Sequence, residues 1–168
     1  DRIISAESRG VATARNPLSS ATGVGQFLES TWLDLFRRYL PERAESLTRS
    51  QILALRTDPQ LSRQFVDLYL RELSQQLRAG NLPVTEVTLS LSYFLGASGA
   101  ATLLRAAPGT LANDVLPENV IAANRSILDG KTREEVLAWA ARRVGLSEQQ
   151  LAVDERVRDV LDDQARAQ

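Results

Sequence analysis

The chain has 168 residues, of which 43% are hydrophobic and 24% are charged, and its 20 basic and 21 acidic side chains give a formal net charge of -1. This composition is typical of a soluble globular protein and excludes a disordered chain, and the balanced charge excludes a global field that attracts nucleic acid or an anionic membrane. The chain contains neither cysteine nor histidine. Disulfides, thiol catalysis, serine–histidine catalysis and histidine-based zinc sites are therefore excluded, and acid–base chemistry falls to carboxylates.

The length fits one domain, because at this size roughly 70% of the unfolded surface can be buried. No internal repeat, low-complexity tract or linker divides the sequence, so we predict a single domain over residues 1–168. Apolar residues recur mainly at helical spacing, which predicts an all-α fold. Residues 131–168 are predicted to form a C-terminal helical extension of unassigned role.

The first predicted helix covers about residues 2–10, and a polar loop with Asn16-Pro17 follows it. A second helix is predicted over residues 31–40, with Ser30 as its cap and Pro41 as its stop. No signal peptide is expected, because the first residues lead into only a short apolar run.

The middle of the chain is predicted to hold a short helix and the longest one. Thr48 and Gln51 form a capping box for the short helix, and Asp58-Pro59 begins the long helix, which ends at Gly80. The apolar stripe of the long helix consists of Leu61, Phe65, Leu68, Tyr69, Leu73 and Leu77.

Residues 87–104 carry no charge, so a membrane span has to be considered. Serine, threonine and glycine dilute the hydrophobicity, and Gly96-Ala97-Ser98-Gly99 has the composition of a turn. We therefore predict a buried helical hairpin here and no transmembrane segment.

Three helices are predicted after this hairpin. One covers residues 117–128, with Pro117 in its first turn, and capping boxes of Thr132 with Glu135 and Ser147 with Gln150 open the other two. The last helix is charged on most faces, so we predict that it is loosely attached or serves a partner. Its thin apolar seam consists of Leu151, Val157 and Leu161.

Glu7 is an acid at a position where its helix should be apolar. It shares the spacing of three and four with Ile3, Ile4 and Val11, which places the carboxylate on the stripe expected to face the core. An apolar pocket raises the pKa of a glutamate and makes it a proton donor, as cleavage of a glycosidic bond requires. The alternative is a frayed N-terminal helix with Glu7 in water.

A turn of small residues follows, and it ends in Gly23-Val24-Gly25-Gln26-Phe27. The glycines allow close approach of the backbone, and the amide of Gln26 can donate to and accept from a sugar hydroxyl or acetamido group. Phe27 adds an aromatic ring. The segment lacks the lysine and spacing of a phosphate-binding loop, and the alternative is an ordinary glycine-rich turn.

Tyr93 is the third candidate, because its phenol can hydrogen-bond a catalytic carboxyl or a sugar. The alternative is a half-buried core tyrosine, and Trp32 is likewise better explained as a core residue. The carboxylates nearest in sequence that could assist Glu7 are interpreted as solvated surface charges. They are Glu29, Asp34, Glu42 and Glu45.

Taken in order, three segments resemble the signature motifs of the soluble lytic transglycosylase family, whose fold is lysozyme-like. The Glu-Ser pair of that family is matched by Ala-Glu-Ser-Arg-Gly at residues 6–10, and its Gly-Leu-Met-Gln-like segment by Gly-Val-Gly-Gln-Phe at residues 23–27. Its Ala-Tyr-Asn-x-Gly segment is matched by Ser-Tyr-Phe-Leu-Gly at residues 92–96. The resemblance covers roughly residues 1–128. Phe94 in place of asparagine and Val24-Gly25 in place of Leu-Met put substrate preference in question more than activity.

The resemblance implies a peptidoglycan-cleaving enzyme with one catalytic glutamate, Glu7, and no metal or cofactor. Glu7 would protonate the leaving oxygen while the acetamido group of N-acetylmuramic acid attacks, and would then deprotonate the O6 hydroxyl to close a 1,6-anhydro ring. Gln26 would orient the acetamido group, Tyr93 would hold Glu7, and Ser8 would support the sugar or the backbone. Phe27 is the remaining predicted substrate contact.

Two alternatives remain open. One is a hydrolytic muramidase similar to goose-type lysozymes, in which Asp34 positions a water molecule. The other is a non-catalytic protein that binds peptidoglycan and docks to envelope machinery through its last helix. In each case the expected partner is a peptidoglycan glycan strand, with no nucleic acid, and the expected location is the periplasm or cell envelope of a bacterium.

Overall fold

The computed structural model describes Ile3 and residues 25–145. Over these residues the protein is built from α-helices, and the prediction of an all-α fold is confirmed. The described residues contain no strand; an isolated antiparallel bridge pairs Leu111 with Thr132. The predicted helix over residues 2–10, apart from Ile3, and the predicted last helix lie outside this part of the chain. A lysozyme-like arrangement of the helices stays a prediction.

The chain divides into two compact units, an N-terminal unit of Asp1–Glu72 and a C-terminal unit of Leu73–Gln168. The boundary between them falls within the longest helix, Pro59–Ala79. The prediction of a single domain over residues 1–168, with residues 131–168 as an extension, stays a prediction.

Between residues 29 and 57 of the N-terminal unit, three helices and a short 3-10 turn precede the longest helix. Thr48 opens one of them as predicted: its side chain accepts a hydrogen bond from the backbone N–H of Gln51 at 3.2 Å, and Gln51 accepts one from the N–H of Thr48 at 2.9 Å. Asp58 caps the longest helix through its Oδ1. The elements are α1 (Glu29–Tyr39), α2 (Pro41–Ser46), α3 (Arg49–Ala54), the 3-10 turn Leu55–Thr57 and α4 (Pro59–Ala79).

The predicted cap at Ser30 is wrong. The cap position is Leu28, which makes no side-chain capping bond, and α1 already begins at Glu29. The helix starts early because Phe27 and Trp32 are both buried and fix the chain on either side of Leu28.

Aromatic side chains form the core of the N-terminal unit. Trp32 is fully buried, its ring centroid lies 4.6 Å from that of Phe65, and its Nε1–H donates to the backbone oxygen of Ile52 at 2.7 Å. Phe36 packs edge-on against Phe65 at 6.0 Å. Since a buried indole N–H needs an acceptor, this bond fixes α1 against α3. The interpretation of Trp32 as a core residue is confirmed.

The end of α4 is a Schellman motif. The N–H of Leu82 donates to the oxygen of Leu77 at 2.9 Å, and the N–H of Asn81 donates to that of Arg78 at 3.0 Å. Asn81 takes the left-handed conformation with φ 56°, which asparagine tolerates better than most residues. The sequence prediction placed the stop at Gly80, one residue before the left-handed position.

Between residues 86 and 143, the C-terminal unit contains five helices. The predicted helix over residues 117–128 is wrong in extent, because Asn124 has φ -136° and ψ 40° and separates two short helices. Nδ2 of Asn124 donates to the backbone oxygen of Val120 at 3.0 Å. This bond satisfies a carbonyl group in the last turn of the first short helix. Pro117 is the cap of that helix rather than a first-turn residue. The elements are α5 (Glu86–Arg105), α6 (Ala112–Val115), α7 (Glu118–Ala123), α8 (Arg125–Leu128) and α9 (Arg133–Arg143).

Helix α5 is broken at Gly96, where φ is 79° and ψ is 165°. The predicted turn is thus a one-residue interruption, and helix resumes at the next residue. Before the break, Ser90 donates to the backbone oxygen of Ala140 at 3.0 Å and joins α5 to α9. By length and composition, α5 is the one described helix that could cross a membrane. The break and the burial of residues such as Leu91 and Leu103 in the core of the unit favour a core helix.

A loop between α5 and α6 is tied to the start of α9. The N–H of Ala112 donates to the oxygen of Lys131 at 2.8 Å, and the N–H of Arg133 donates to that of Thr110 at 2.7 Å. Arg133 is 6% exposed, and its Nη2 donates to the oxygen of Leu104 at 3.2 Å. Of the capping box predicted for Thr132 and Glu135, one bond is shown: the backbone N–H of Glu135 donates to Oγ1 of Thr132 at 3.2 Å.

Candidate functional site

The predicted catalytic residue lies outside the described part of the chain. This is true of Glu7 and Ser8, and of Gly23 and Val24 in the second motif. Their roles stay predictions.

Gln26 occupies a turn that leads directly into α1. It has φ 48°, in the left-handed region, and is partly exposed, whereas Gly25 and Phe27 on either side are buried. A left-handed conformation is uncommon for a residue other than glycine, and strain of order 1–3 kcal/mol persists only where the surroundings impose it. The turn therefore holds the backbone of Gln26 in a defined conformation between two buried neighbours.

Phe27 is the anchor of this turn. Its ring is 2% exposed and lies 5.3 Å from Trp32 and 6.2 Å from Tyr69, measured between centroids. A direct contact of the ring with a sugar stays a prediction, and such a contact would require the ring to leave the aromatic core. In the described conformation, Phe27 fixes the position of Gln26.

Arg56 is a residue that sequence reasoning missed. It follows α3 in the 3-10 turn, is only 8% exposed, and donates through Nη1 to the backbone oxygen of Phe27 at 3.1 Å. Its Nε donates to the oxygen of Leu53 at 3.1 Å. The available signal was an arginine in the apolar run Leu53-Ala54-Leu55-Arg56, at a position where burial of a charge calls for a partner.

Leu28 is a second residue that was missed. It is 46% exposed and follows the buried Phe27, so the turn presents an apolar side chain to solvent two residues after Gln26. An amide and an aliphatic side chain this close together can contact both the polar and the apolar parts of an acetamido sugar.

Tyr93 lies in the C-terminal unit, on α5, three residues before the break at Gly96. It is half-buried, as the alternative for this residue expected. Phe94, which replaces the asparagine of the family motif, packs against Trp139 with centroids 4.6 Å apart, and the guanidinium of Arg143 lies 4.7 Å from the centroid of Trp139. The proximity of Tyr93 to Gln26 and Glu7 stays a prediction.

The carboxylate of Asp34 belongs to a surface ion-pair network. Its Oδ2 accepts from Nη2 of Arg38 at 2.8 Å, and its side chain is 66% exposed. Arg38 also forms an ion pair with Glu72, and Glu72 accepts a hydrogen bond from the hydroxyl of Tyr39 at 2.5 Å. The hydrogen bond to Glu72 raises the pKa of Arg38 further above its ordinary value. These contacts support the interpretation of Asp34 as a surface charge.

The described residues contain no group of three or more side chains that could hold a metal ion. The expectation that the protein uses no metal and no cofactor stays a prediction.

The chain matches no model of a known protein family and no curated protein.

Proposed function

We propose that the chain is a peptidoglycan lytic transglycosylase that cleaves the β-1,4 bond between N-acetylmuramic acid and N-acetylglucosamine. The observation that carries the proposal is the order of three motifs along an all-α chain: Glu7-Ser8, residues 23–27 and residues 92–96. Each motif alone is weak, because glutamates, glycine turns and tyrosines are common. Their joint order and spacing give the specificity.

The turn at Gln26 supports this proposal. A glycan-cleaving site needs a polar group held rigidly beside the sugar, because precise positioning lowers the entropic cost of reaction. Gln26 is held between buried residues by the aromatic core and by Arg56. Its amide can serve as donor and acceptor to an acetamido group.

The chain contains no histidine, so the acid–base chemistry falls to carboxylates, and the resemblance assigns it to one glutamate. In the proposed reaction, Glu7 donates its proton to the glycosidic oxygen while the acetamido oxygen of the muramic residue attacks its own anomeric carbon. Glu7 then accepts the proton of the O6 hydroxyl, and that oxygen displaces the acetamido group to form a 1,6-anhydro ring. No water is consumed, and no second catalytic carboxylate is needed.

The two alternative functions differ from this proposal in their products. A hydrolytic muramidase would need a carboxylate that positions water, and the candidate for this role, Asp34, is engaged by Arg38 at the protein surface. A non-catalytic binding protein would leave the glycan intact. The ion pair at Asp34 favours the transglycosylase over the muramidase.

The test is digestion of purified peptidoglycan in water enriched in ¹⁸O, followed by mass spectrometry of the products. The transglycosylase is expected to release muropeptides with 1,6-anhydro ends and without added ¹⁸O, because no water enters the reaction. Reducing ends that carry ¹⁸O would instead identify a muramidase. Binding to the glycan with no release of muropeptides would identify a binding protein.

The substrate class places the proposed function in the periplasm or cell envelope of a bacterium, where glycan strands of peptidoglycan are the partner. Docking to envelope machinery through the last predicted helix belongs to the non-catalytic alternative.

A further inference from the structure

We infer that Arg56 is a positioning residue for Gln26 and that it acts through the backbone of Phe27. The inference rests on the proposed function for its effect on catalysis. The stabilisation of the turn by Arg56, however, can be measured without any assay of activity.

The contacts of Arg56 join two separate segments of the N-terminal unit. Nη1 donates to the oxygen of Phe27 at 3.1 Å, and Nε donates to the oxygen of Leu53 at 3.1 Å. The side chain thereby ties the turn before α1 to the residues at the end of α3.

The carbonyl group that Arg56 binds is one residue away from the strained position. Fixing the oxygen of Phe27 fixes the peptide plane that follows it, and the buried ring of Phe27 fixes its side chain. With both constraints in place, Gln26 is held at φ 48°. Loss of either constraint lets Gln26 relax toward the ordinary negative φ region, which moves its amide.

The chemistry of the side chain also points to positioning. Burial of a guanidinium is costly unless its donors are bonded, and an apolar side chain of similar volume packs at least as well in such a place. The planar guanidinium group, in contrast, can donate hydrogen bonds to two carbonyl groups at a fixed angle. Lysine carries its donors on one nitrogen and cannot reproduce this geometry.

Arg133 provides a matched control. It is buried to a similar degree, at 6% exposed against 8% for Arg56, and it also donates to a backbone oxygen, that of Leu104. It lies in the C-terminal unit, where it also pairs with Glu134. A substitution at Arg133 therefore reports the general cost of changing a buried arginine.

The experiment compares Arg56→Lys with Arg133→Lys at a temperature at which both variants are folded. The first readout is amide hydrogen exchange of the segment 25–28, which is expected to accelerate in Arg56→Lys and to stay at the wild-type rate in Arg133→Lys. The second readout is release of anhydro-muropeptides from peptidoglycan. We expect kcat to fall by about 10- to 100-fold in Arg56→Lys, as expected for a small displacement of a positioning group, and to stay near wild type in Arg133→Lys.

A double variant separates positioning from a general loss of structure. If Arg56 acts through Gln26, Arg56→Lys adds little to the loss of activity caused by Gln26→Ala, because the group that it positions is already absent. Additive losses, or unchanged exchange of residues 25–28 in Arg56→Lys, would overturn the inference. If wild-type protein releases no muropeptides, the proposed function fails, and the exchange comparison alone decides whether Arg56 holds the turn.

Discussion

The carboxylate of Glu134 binds the loop at Gly109 to the start of α9 in the C-terminal unit. Its Oε2 accepts the backbone N–H of Gly109 at 2.9 Å, and its Oε1 lies 3.3 Å from Nη1 of Arg133. Partial burial by itself raises the pKa of Glu134. The hydrogen bonds from the N–H groups of Gly109 and of Glu134 itself, together with Arg133, outweigh burial and lower that pKa below its ordinary value.

The lowered pKa predicts a pH-dependent contribution of Glu134 to stability. A carboxyl group with a lower pKa in the folded state stabilises the protein above its unfolded-state pKa and loses this effect as the pH falls through its folded-state pKa. Glu134→Gln is therefore expected to be less stable than wild type at pH 7, with the difference shrinking below about pH 4. Denaturant unfolding at several pH values measures this, with Glu118→Gln at the exposed start of α7 as the control. A difference that does not change with pH would contradict the account.

Single residues also show what the sequence could and could not predict. The predicted capping box is complete at Thr48, and one of its two bonds is shown at Thr132. These bonds could be predicted because they join side chains and backbone groups only three residues apart. The cap at Ser30 was predicted wrongly, because the start of α1 is decided by burial of Phe27 and Trp32. Arg56 was missed for the same reason, since its partner at Phe27 is 29 residues away in sequence.

At the scale of the element, the break in α5 is the feature with the clearest energetic consequence. Gly96 combines φ 79° with ψ 165°, a region that is essentially restricted to glycine. Apart from its chain neighbours and the backbone of its own helix, a Cβ atom added to Gly96 would meet no atom of the described residues within 4 Å. The requirement for glycine is therefore conformational and does not come from lack of space.

Gly96→Ala is expected to lower the free energy of unfolding by about 1–3 kcal/mol, which is the cost of a side chain in this region of backbone space. The exposed helical residue Ser98 is the control, and Ser98→Ala should stay within about 0.5 kcal/mol of wild type. Thermal or denaturant unfolding followed by circular dichroism measures both. Equal stability of Gly96→Ala and wild type would show that the backbone at Gly96 accepts an ordinary helical conformation.

The sequence predicted long elements better than short ones. The longest helix was predicted to start at Asp58-Pro59 and to stop at Gly80, and α4 spans Pro59–Ala79. Its apolar stripe was also largely right, with Phe65, Leu73 and Leu77 buried. The single helix predicted over residues 117–128 is two helices, because Asn124 bonds back to Val120 and ends the first of them. A local side-chain bond of this kind competes with a weak helical signal.

At the scale of the whole molecule, composition and periodicity were sufficient to predict the all-α class. The helical spacing of apolar residues is a property of the whole sequence and does not depend on any one contact. The division into two compact units was not predicted, because it depends on contacts between residues far apart in sequence. For the candidate site, the sequence predicted Gln26 and Phe27 as substrate contacts. The structure adds the left-handed conformation of Gln26, the burial of the Phe27 ring and the hydrogen bond from Arg56 to the backbone of Phe27.

The proposed function depends on one carboxylate, that of Glu7, acting without a second. The most direct measurement is the rate of anhydro-muropeptide release from purified peptidoglycan by wild type, Glu7→Gln and Asp34→Asn, each checked for folding by circular dichroism. We expect Glu7→Gln to lose activity by roughly 100-fold or more, as for removal of a general acid–base, and Asp34→Asn to retain it. A Glu7→Gln variant as active as wild type would contradict the account.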